Sequence, residues 1–404
     1  MLKNFIYHFL ERRHFWRYAS FSEVAELYAS RTLRVIGIHL ASGFASVFLI
    51  QIGYSLSFIM TYWAIYFLSK IPLSYAAALI AARFGPKHGI FISNVLYIPA
   101  MASLALAPYF GLWAIISWGA CMALSATLYQ LCYLIDFSKV KSVDHAGKEI
   151  GFMNILEKIA IGVSPLIGGL VALFFGAQAI MWVAASVFLL AAVPLMRTSE
   201  PTRTRQKIAF RGFPYRTAWH SLVSQVGIGF DVVSTAHIWG LFIAIVIFPG
   251  WGDEIYVTLG ALSSITILTA IAISYAYGKL IDRNRGGDLL SISVIANAVV
   301  HLFRPFAVGV TPIIATNIAN EVATTGITMS YMRGMFDTAD RSGHRIMYLC
   351  MIEMMANFGA ALACGVLLIA ISLVGDNDGL RVFFFVAAGF VLLAGTARFQ
   401  LYRK

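Results

Sequence analysis

Ionisable side chains inside long apolar runs are the residues of this chain with the most chemistry to offer. Lys70 lies in "YFLSKIPLSY", Glu157 in "GFMNILEKIA", Glu321 in "TNIANEVATTG" and Glu353 in "MYLCMIEMMA". In lipid each costs at least about 2.5–3.5 kcal/mol on insertion scales, so each is a functional candidate by default. The chemistry open to them is charge pairing and proton transfer. An ammonium at depth demands a counter-charge, and a carboxylate can take up or release a proton as its surroundings change.

Their spacing says how deep they sit. Lys70 stands 13 residues before Arg83, about 20 Å at 1.5 Å per helical residue, too deep to snorkel. Glu321 stands 12 residues before Arg333, about 18 Å by the same rule. Asn317, Asn320, Glu321 and Thr324 recur at helical spacing, which gives that helix one polar side. Glu157 and Glu353 each follow a glycine by ten residues, Gly147 and Gly343. They form a matched pair about 12–14 Å in from one surface. Lys158 points to a different face from its neighbour Glu157. His39 and His237 are candidates for proton relay, the alternative being that a neighbouring carbonyl holds each ring. Tyr129 and Gln130 are candidate cavity liners. No phosphate-cradling loop, metal-spaced His/Cys cluster or nucleophile elbow is present in the sequence, so no enzyme, cofactor or metal is expected.

These groups need elements that hold them in lipid. The chain has 404 residues, 59% hydrophobic and 12% charged, with a mean hydropathy of +0.78. A soluble domain would carry about 25% charged residues. Twelve apolar runs are long enough to span a bilayer, the first at 33–52, the seventh at 232–249 and the last at 381–400. Runs so long and uniformly apolar predict helices rather than barrel strands, an all-α membrane protein. With the N-terminus inside, 26 of the 30 Lys and Arg residues fall on the cytoplasmic side, Arg31 and Arg34 among them. The outer side holds Arg381 against Asp253, Glu254, Asp376 and Asp378. The net charge of +11 is therefore a topology signal, with both termini cytoplasmic in a multi-pass plasma (inner) membrane protein, and nucleic acid is not a partner. Residues 1–32 read as an amphipathic cytoplasmic segment, 33–196 and 232–404 as two bundles, and 197–231 as a basic cytoplasmic linker. Arg304 is expected to snorkel outward, Asp231 to cap a helix near the cytoplasmic mouth, and Asp136 to pair with Lys139.

The two bundles repeat. "YGKLIDRNRGG" ends the eighth run, and 200 residues earlier "AALIAARFGPKHG" ends the second. Gly278, Asp282 and Arg283 in one copy answer Arg83, Gly85 and Lys87 in the other, where Ala78 and Ala82 replace the glycine and the aspartate. The next glycine of the second copy, Gly286, is displaced by one. After its N-terminal segment the chain resembles, over essentially its whole length, the major facilitator superfamily of bacterial type, with no subfamily identified.

That resemblance implies twelve transmembrane helices in two pseudo-symmetric six-helix bundles, with substrate handled between them. It implies that the first, fourth, seventh and tenth spans line a central cavity, which suits the Asn317–Glu321 face. It implies a conformational latch at Gly278, Asp282, Arg283, Arg83 and Gly85, with the Asp282 carboxylate against the start of the fifth helix. Pro165, Gly168 and Gly169 in "GVSPLIGG" are similar to the family's antiporter pattern, close helix packing being the alternative. The function implied is secondary active transport of a small organic molecule by alternating access, as proton-coupled efflux by a monomer in the bilayer. Lys70, Glu157, Asn317, Asn320, Glu321 and Glu353 are the expected substrate and proton-coupling residues. Three glutamates against Lys70, with the side of Lys158 left open, favour cationic or neutral amphipathic substrates. A non-transporting sensor, a lipid scramblase or proton-coupled uptake are the alternatives on this scaffold.

Overall fold

A backbone in lipid can bond only to itself, so each apolar run closes into a helix. The computed structural model describes residues 21–140, 146–196, 208, 210–249, 257–259, 261–262 and 267–402. Twelve long helices organise them: α1 Phe21–Gln51, α2 Leu56–Phe84, α3 Pro86–Ala105, α4 Leu112–Val140, α5 Ala146–Phe175, α6 Ala177–Ala192, α7 Tyr215–Ile247, α8 Ile267–Asp282, α9 Gly286–Phe303, α10 Val310–Arg341, α11 Arg345–Val374 and α12 Asp376–Val391. No strand occurs among the described residues. Lipid-facing side chains such as Trp113, Phe174 and Leu373 stay exposed, as an apolar solvent allows.

Three boundaries differ from the sequence expectation. Helix α1 begins at Phe21, so 21–32 continue into the first apolar run as one helix; residues 1–20 lie outside those described. Helix α7 begins at Tyr215, well before 232, which shortens the linker. Its first turns are amphipathic, with Arg216, His220 and Gln225 diluting the hydropathy while Leu222, Val226 and Phe230 are buried. Helix α12 begins at Asp376, so Asp376 and Asp378 occupy its first turn, where acidic residues complement the helix dipole. Asp253 and Glu254 lie outside the described residues.

The helices form two bundles, α1–α6 and α7–α12, with repeated packing. Helix α3 packs on α4 as α9 does on α10, α1 on α5 as α7 on α11, and α2 on α4 as α8 on α10. Across the halves α2 packs on α11, and α5 on α8. Each contact is the other's image under the repeat, which is what a two-fold relation between halves requires.

Close approach explains several glycines. A Cβ on Gly229 would lie 2.0 Å from the carbonyl oxygen of Ala356, and one on Gly359 would lie 2.0 Å from that of Val226, so α7 and α11 touch backbone to backbone. Likewise a Cβ on Gly168 would meet the Leu40 carbonyl oxygen at 2.6 Å. That gives the "GVSPLIGG" segment of α5 a packing task against α1; Pro165 and Gly169 are buried in the same turns. The α2–α3 turn needs Gly85 for its φ of 94°, a conformation other L-residues resist. In the α8–α9 turn the left-handed position is taken by Asn284, φ 58°, the side chain type that best tolerates it. The displaced Gly286 serves instead to admit the Tyr402 ring, whose atoms lie 2.4–2.5 Å from where a Cβ would be.

Candidate functional site

A cavity of about 430 Å³ lies between the two halves, lined from both. From α1 come Arg31 and Arg34, from α2 Lys70, from α4 Tyr129, Gln130 and Phe137, and from α5 Glu157. The other half contributes Gln225 of α7, Met329, Met332 and Met335 of α10, and Glu353 and Asn357 of α11.

Each intramembrane glutamate faces a cation. Arg31 grips Glu157 with two bonds, Nε to Oε1 at 2.8 Å and Nη2 to Oε2 at 3.1 Å, the planar fork geometry that favours arginine. Lys70 Nζ lies 3.9 Å from Glu353 Oε1, and Asn357 Nδ2 donates to the same oxygen at 3.3 Å. Lys158 Nζ lies 2.6 Å from Glu321 Oε1. The first pair stays within one half, while the second and third bridge the halves, from α2 to α11 and from α5 to α10. Asn154 Nδ2 adds a further bridge, donating to Ser274 Oγ at 2.7 Å. The matched glutamates thus have unlike partners, for a chemical reason. A shift of 200 residues carries Lys70 onto Ala270, which leaves Glu157 no lysine across the interface.

The remaining sequence candidates scatter. Tyr129 and Gln130 line this cavity. His39 is half-buried on α1 and does not line it. His237 packs its ring on Trp63 across the halves, with centroids 4.2 Å apart. Asn317, Asn320 and Glu321 do not line this cavity, contrary to expectation. The α10 residues that do, from Thr328 to Met335, are about two to four turns beyond Glu321, because the polar face is consumed by internal bonds. Asn317 accepts from Trp239 Nε1 at 2.8 Å, Asn320 from Arg304 Nη2 at 3.0 Å, and Glu321 holds Lys158. At the proposed latch Gly278 is buried, Asp282 half-buried, and Arg83 and Arg283 are exposed. The contact of Asp282 with the start of α5, like the pairing of Asp136 with Lys139, falls on side chains outside those described.

Four charged residues are misplaced by sequence reasoning. Arg304 does not snorkel; it is fully buried, donating from Nη1 to Thr235 Oγ1 at 3.2 Å and lying 3.2 Å from His301 Nδ1. Asp231 is no cap. It sits mid-helix in α7, 2.7 Å from His301 Nε2. A guanidinium can only donate, so Nδ1 accepts and Nε2 carries the proton toward Asp231. Arg31 and Arg34 are not surface topology charges but cavity walls, since α1 is longer than its apolar run. With them the lining holds, among the described residues, three cations, Arg31, Arg34 and Lys70, against two carboxylates, Glu157 and Glu353. The expected acidic or balanced cavity is therefore corrected to one with a net positive charge. Arg31 and Arg34 carried one usable signal: they stand three apart in a helix and share a face.

The sequence profile of the Major Facilitator Superfamily matches residues 27–253. No curated protein matches this chain in sequence. Among solved structures, the E. coli fucose:proton symporter FucP is similar with a TM-score of 0.66 at 12% identity, over 93% of this chain and 98% of that one. The human organic anion transporter MFSD10 gives 0.68 at 11%, over 95% and 100%. The nucleoside transporter NupG gives 0.66 at 10%, over 92% and 97%.

Proposed function

The chain belongs to the major facilitator superfamily, and from that premise we propose that it is a proton-coupled secondary active transporter of a small organic molecule. It works by alternating access, with both termini cytoplasmic. The observation that carries this reading is the pair of ion bridges between the halves, Lys70–Glu353 and Lys158–Glu321. Both must part when one half rocks against the other. Parting them without compensation strands charges in a low-dielectric interior at several kcal/mol per ion. Protonating a glutamate as its lysine takes another partner removes that penalty. Substrate binding and proton movement are thereby tied to the same opening. The direction assigned is export, supported by the likeness of the Pro165–Gly169 run to the family's antiporter pattern.

The test uses purified protein in liposomes with an imposed pH gradient, scored by gradient-driven movement of a candidate solute. Wild type is expected to couple. The combination of Glu321→Gln and Glu353→Gln is expected to exchange solute down its own gradient while ignoring the proton gradient. Full gradient-driven accumulation by that double variant would overturn the coupling assignment.

A further inference from the structure

The cavity's charge is not evenly shared among its cations. Glu157 is committed to Arg31 through two bonds, and Glu353 is the carboxylate nearest Lys70. Arg34 is 1% exposed and, among the described residues, has only neutral hydrogen-bond partners. Its Nη1 donates to Asn94 Oδ1 at 2.8 Å and its Nη2 to Ser125 Oγ at 3.2 Å. Its Nε is buried with no hydrogen-bond partner. The guanidinium carbon sits 3.9 Å from the centroid of the Tyr129 ring, and that of Arg31 5.3 Å from the same ring. Two arginines one turn apart therefore both approach the Tyr129 ring, but the one carboxylate beside them, Glu157, is bonded to Arg31 alone. A buried guanidinium without an anion pays a desolvation penalty that nothing repays.

The other fully buried arginine, Arg304, shows the contrast. Its Nε also lacks a partner, but His301 links it to Asp231, and it does not line the cavity. Its charge is balanced within the protein. Arg34's is not, and Arg34 faces the cavity.

We propose that Arg34 is the anchor for an anionic group, and that the cavity takes a small organic monocarboxylate with an aromatic or bulky apolar body. The carboxylate supplies the missing counter-charge beside Arg34 and Arg31. The apolar body lies against Phe67, Phe137 and the three methionines of α10, whose flexible thioethers adapt to varied shapes. A volume of about 430 Å³ is within the usual range for small-molecule sites. This deepens the transporter reading by naming its substrate class, and it rests on that reading only for movement, not for binding.

The test measures binding of matched probes to the purified full-length protein in detergent: 1-naphthoate, its neutral amide 1-naphthamide and the cation 1-naphthylmethylamine, with benzoate and octanoate as further acids. At least one acid is expected to bind and to raise the thermal midpoint by several degrees, with the amide and amine at least tenfold weaker. Arg34→Gln is expected to lose at least tenfold in acid affinity, and Arg34→Lys to keep part of it. Gln130→Glu puts a carboxylate into the same cavity without touching Arg34's bonds, and should also lower acid affinity. The order of probes on wild type needs no variant to fold. Binding of the amine in preference to every acid, binding of none of the acids, or acid affinity unchanged in Arg34→Gln overturns the proposal. Acid that binds but is not moved by liposomes leaves the anchor standing and removes the transport reading. A different solute that is moved while acids fail to bind does the reverse.

Discussion

The Lys70–Glu353 contact joins the two halves at one definable distance, so its energy can be worked out and measured. At 3.9 Å two unit charges attract by about 4 kcal/mol at an effective dielectric of 20, and about 1 kcal/mol in bulk water. Both residues are more than nine-tenths buried, which places the coupling toward the upper figure. The two single changes should not be equal. In Lys70→Met, Glu353 keeps the amide of Asn357 at 3.3 Å. In Glu353→Gln, Lys70 retains only the faces of Tyr66 and Phe67, 5.5 and 5.7 Å from its nitrogen. Glu353→Gln is therefore expected to cost about 3–5 kcal/mol, the range for breaking a buried pair, and Lys70→Met less. The double variant should cost clearly less than the sum, by more than about 1 kcal/mol of coupling, as contacting residues do. Reversible unfolding of purified protein in mixed micelles, read as midpoint against denaturing detergent, gives all four corners of the cycle. Single effects that add to within about 0.5 kcal/mol, as for independent sites, would show that the charges do not sense each other and that this bridge does not join the halves.

The glycine contacts make a second, sharper test. Gly359→Ala drives a methyl into the Val226 carbonyl and should cost about 1–3 kcal/mol, as overpacking does. Gly365→Ala in the same helix meets nothing within 4 Å and should be neutral or stabilising by about 1 kcal/mol; both are read as thermal midpoints of purified protein. Asp231→Asn removes the carboxylate that balances Arg304 through His301. Stability is expected to fall by about 3 kcal/mol or more, and an unchanged midpoint would mean that Arg304 finds its compensation elsewhere.

The bundle count was legible because lipid leaves a long uncharged run no choice but helix, and the repeat was legible in "YGKLIDRNRGG" and its partial copy. Lys70 and the three glutamates could be picked out by depth alone. Which cation would meet which glutamate could not, since that depends on how each helix is turned about its axis, and on Ala270 standing where Lys70 would recur. Arg31 and Arg34 were hidden by a different effect. They stand at the start of the apolar run, Arg31 just before it and Arg34 within its first turn, and so resemble interface charges, whereas α1 runs 31 residues, about 46 Å at 1.5 Å each, longer than the hydrocarbon core it crosses. Asp231 was obscured by the amphipathic first turns of α7, which read as linker. The Asn317–Glu321 face was visible as polar, but a polar face does not say whether it meets a cavity or neighbouring side chains.

The backbone contact between α7 and α11 has a mechanical corollary. Helices separated by side chains can shear as rotamers readjust, but Gly229 against Ala356 and Gly359 against Val226 leave no compliant layer between them. The two helices behave as one rigid spar. Glu353 lies three residues from Ala356, and Asp231 two from Gly229, so two separate polar networks are each anchored to that spar. The Lys70–Glu353 bridge and the Asp231–His301–Arg304 cluster therefore share one rigid support.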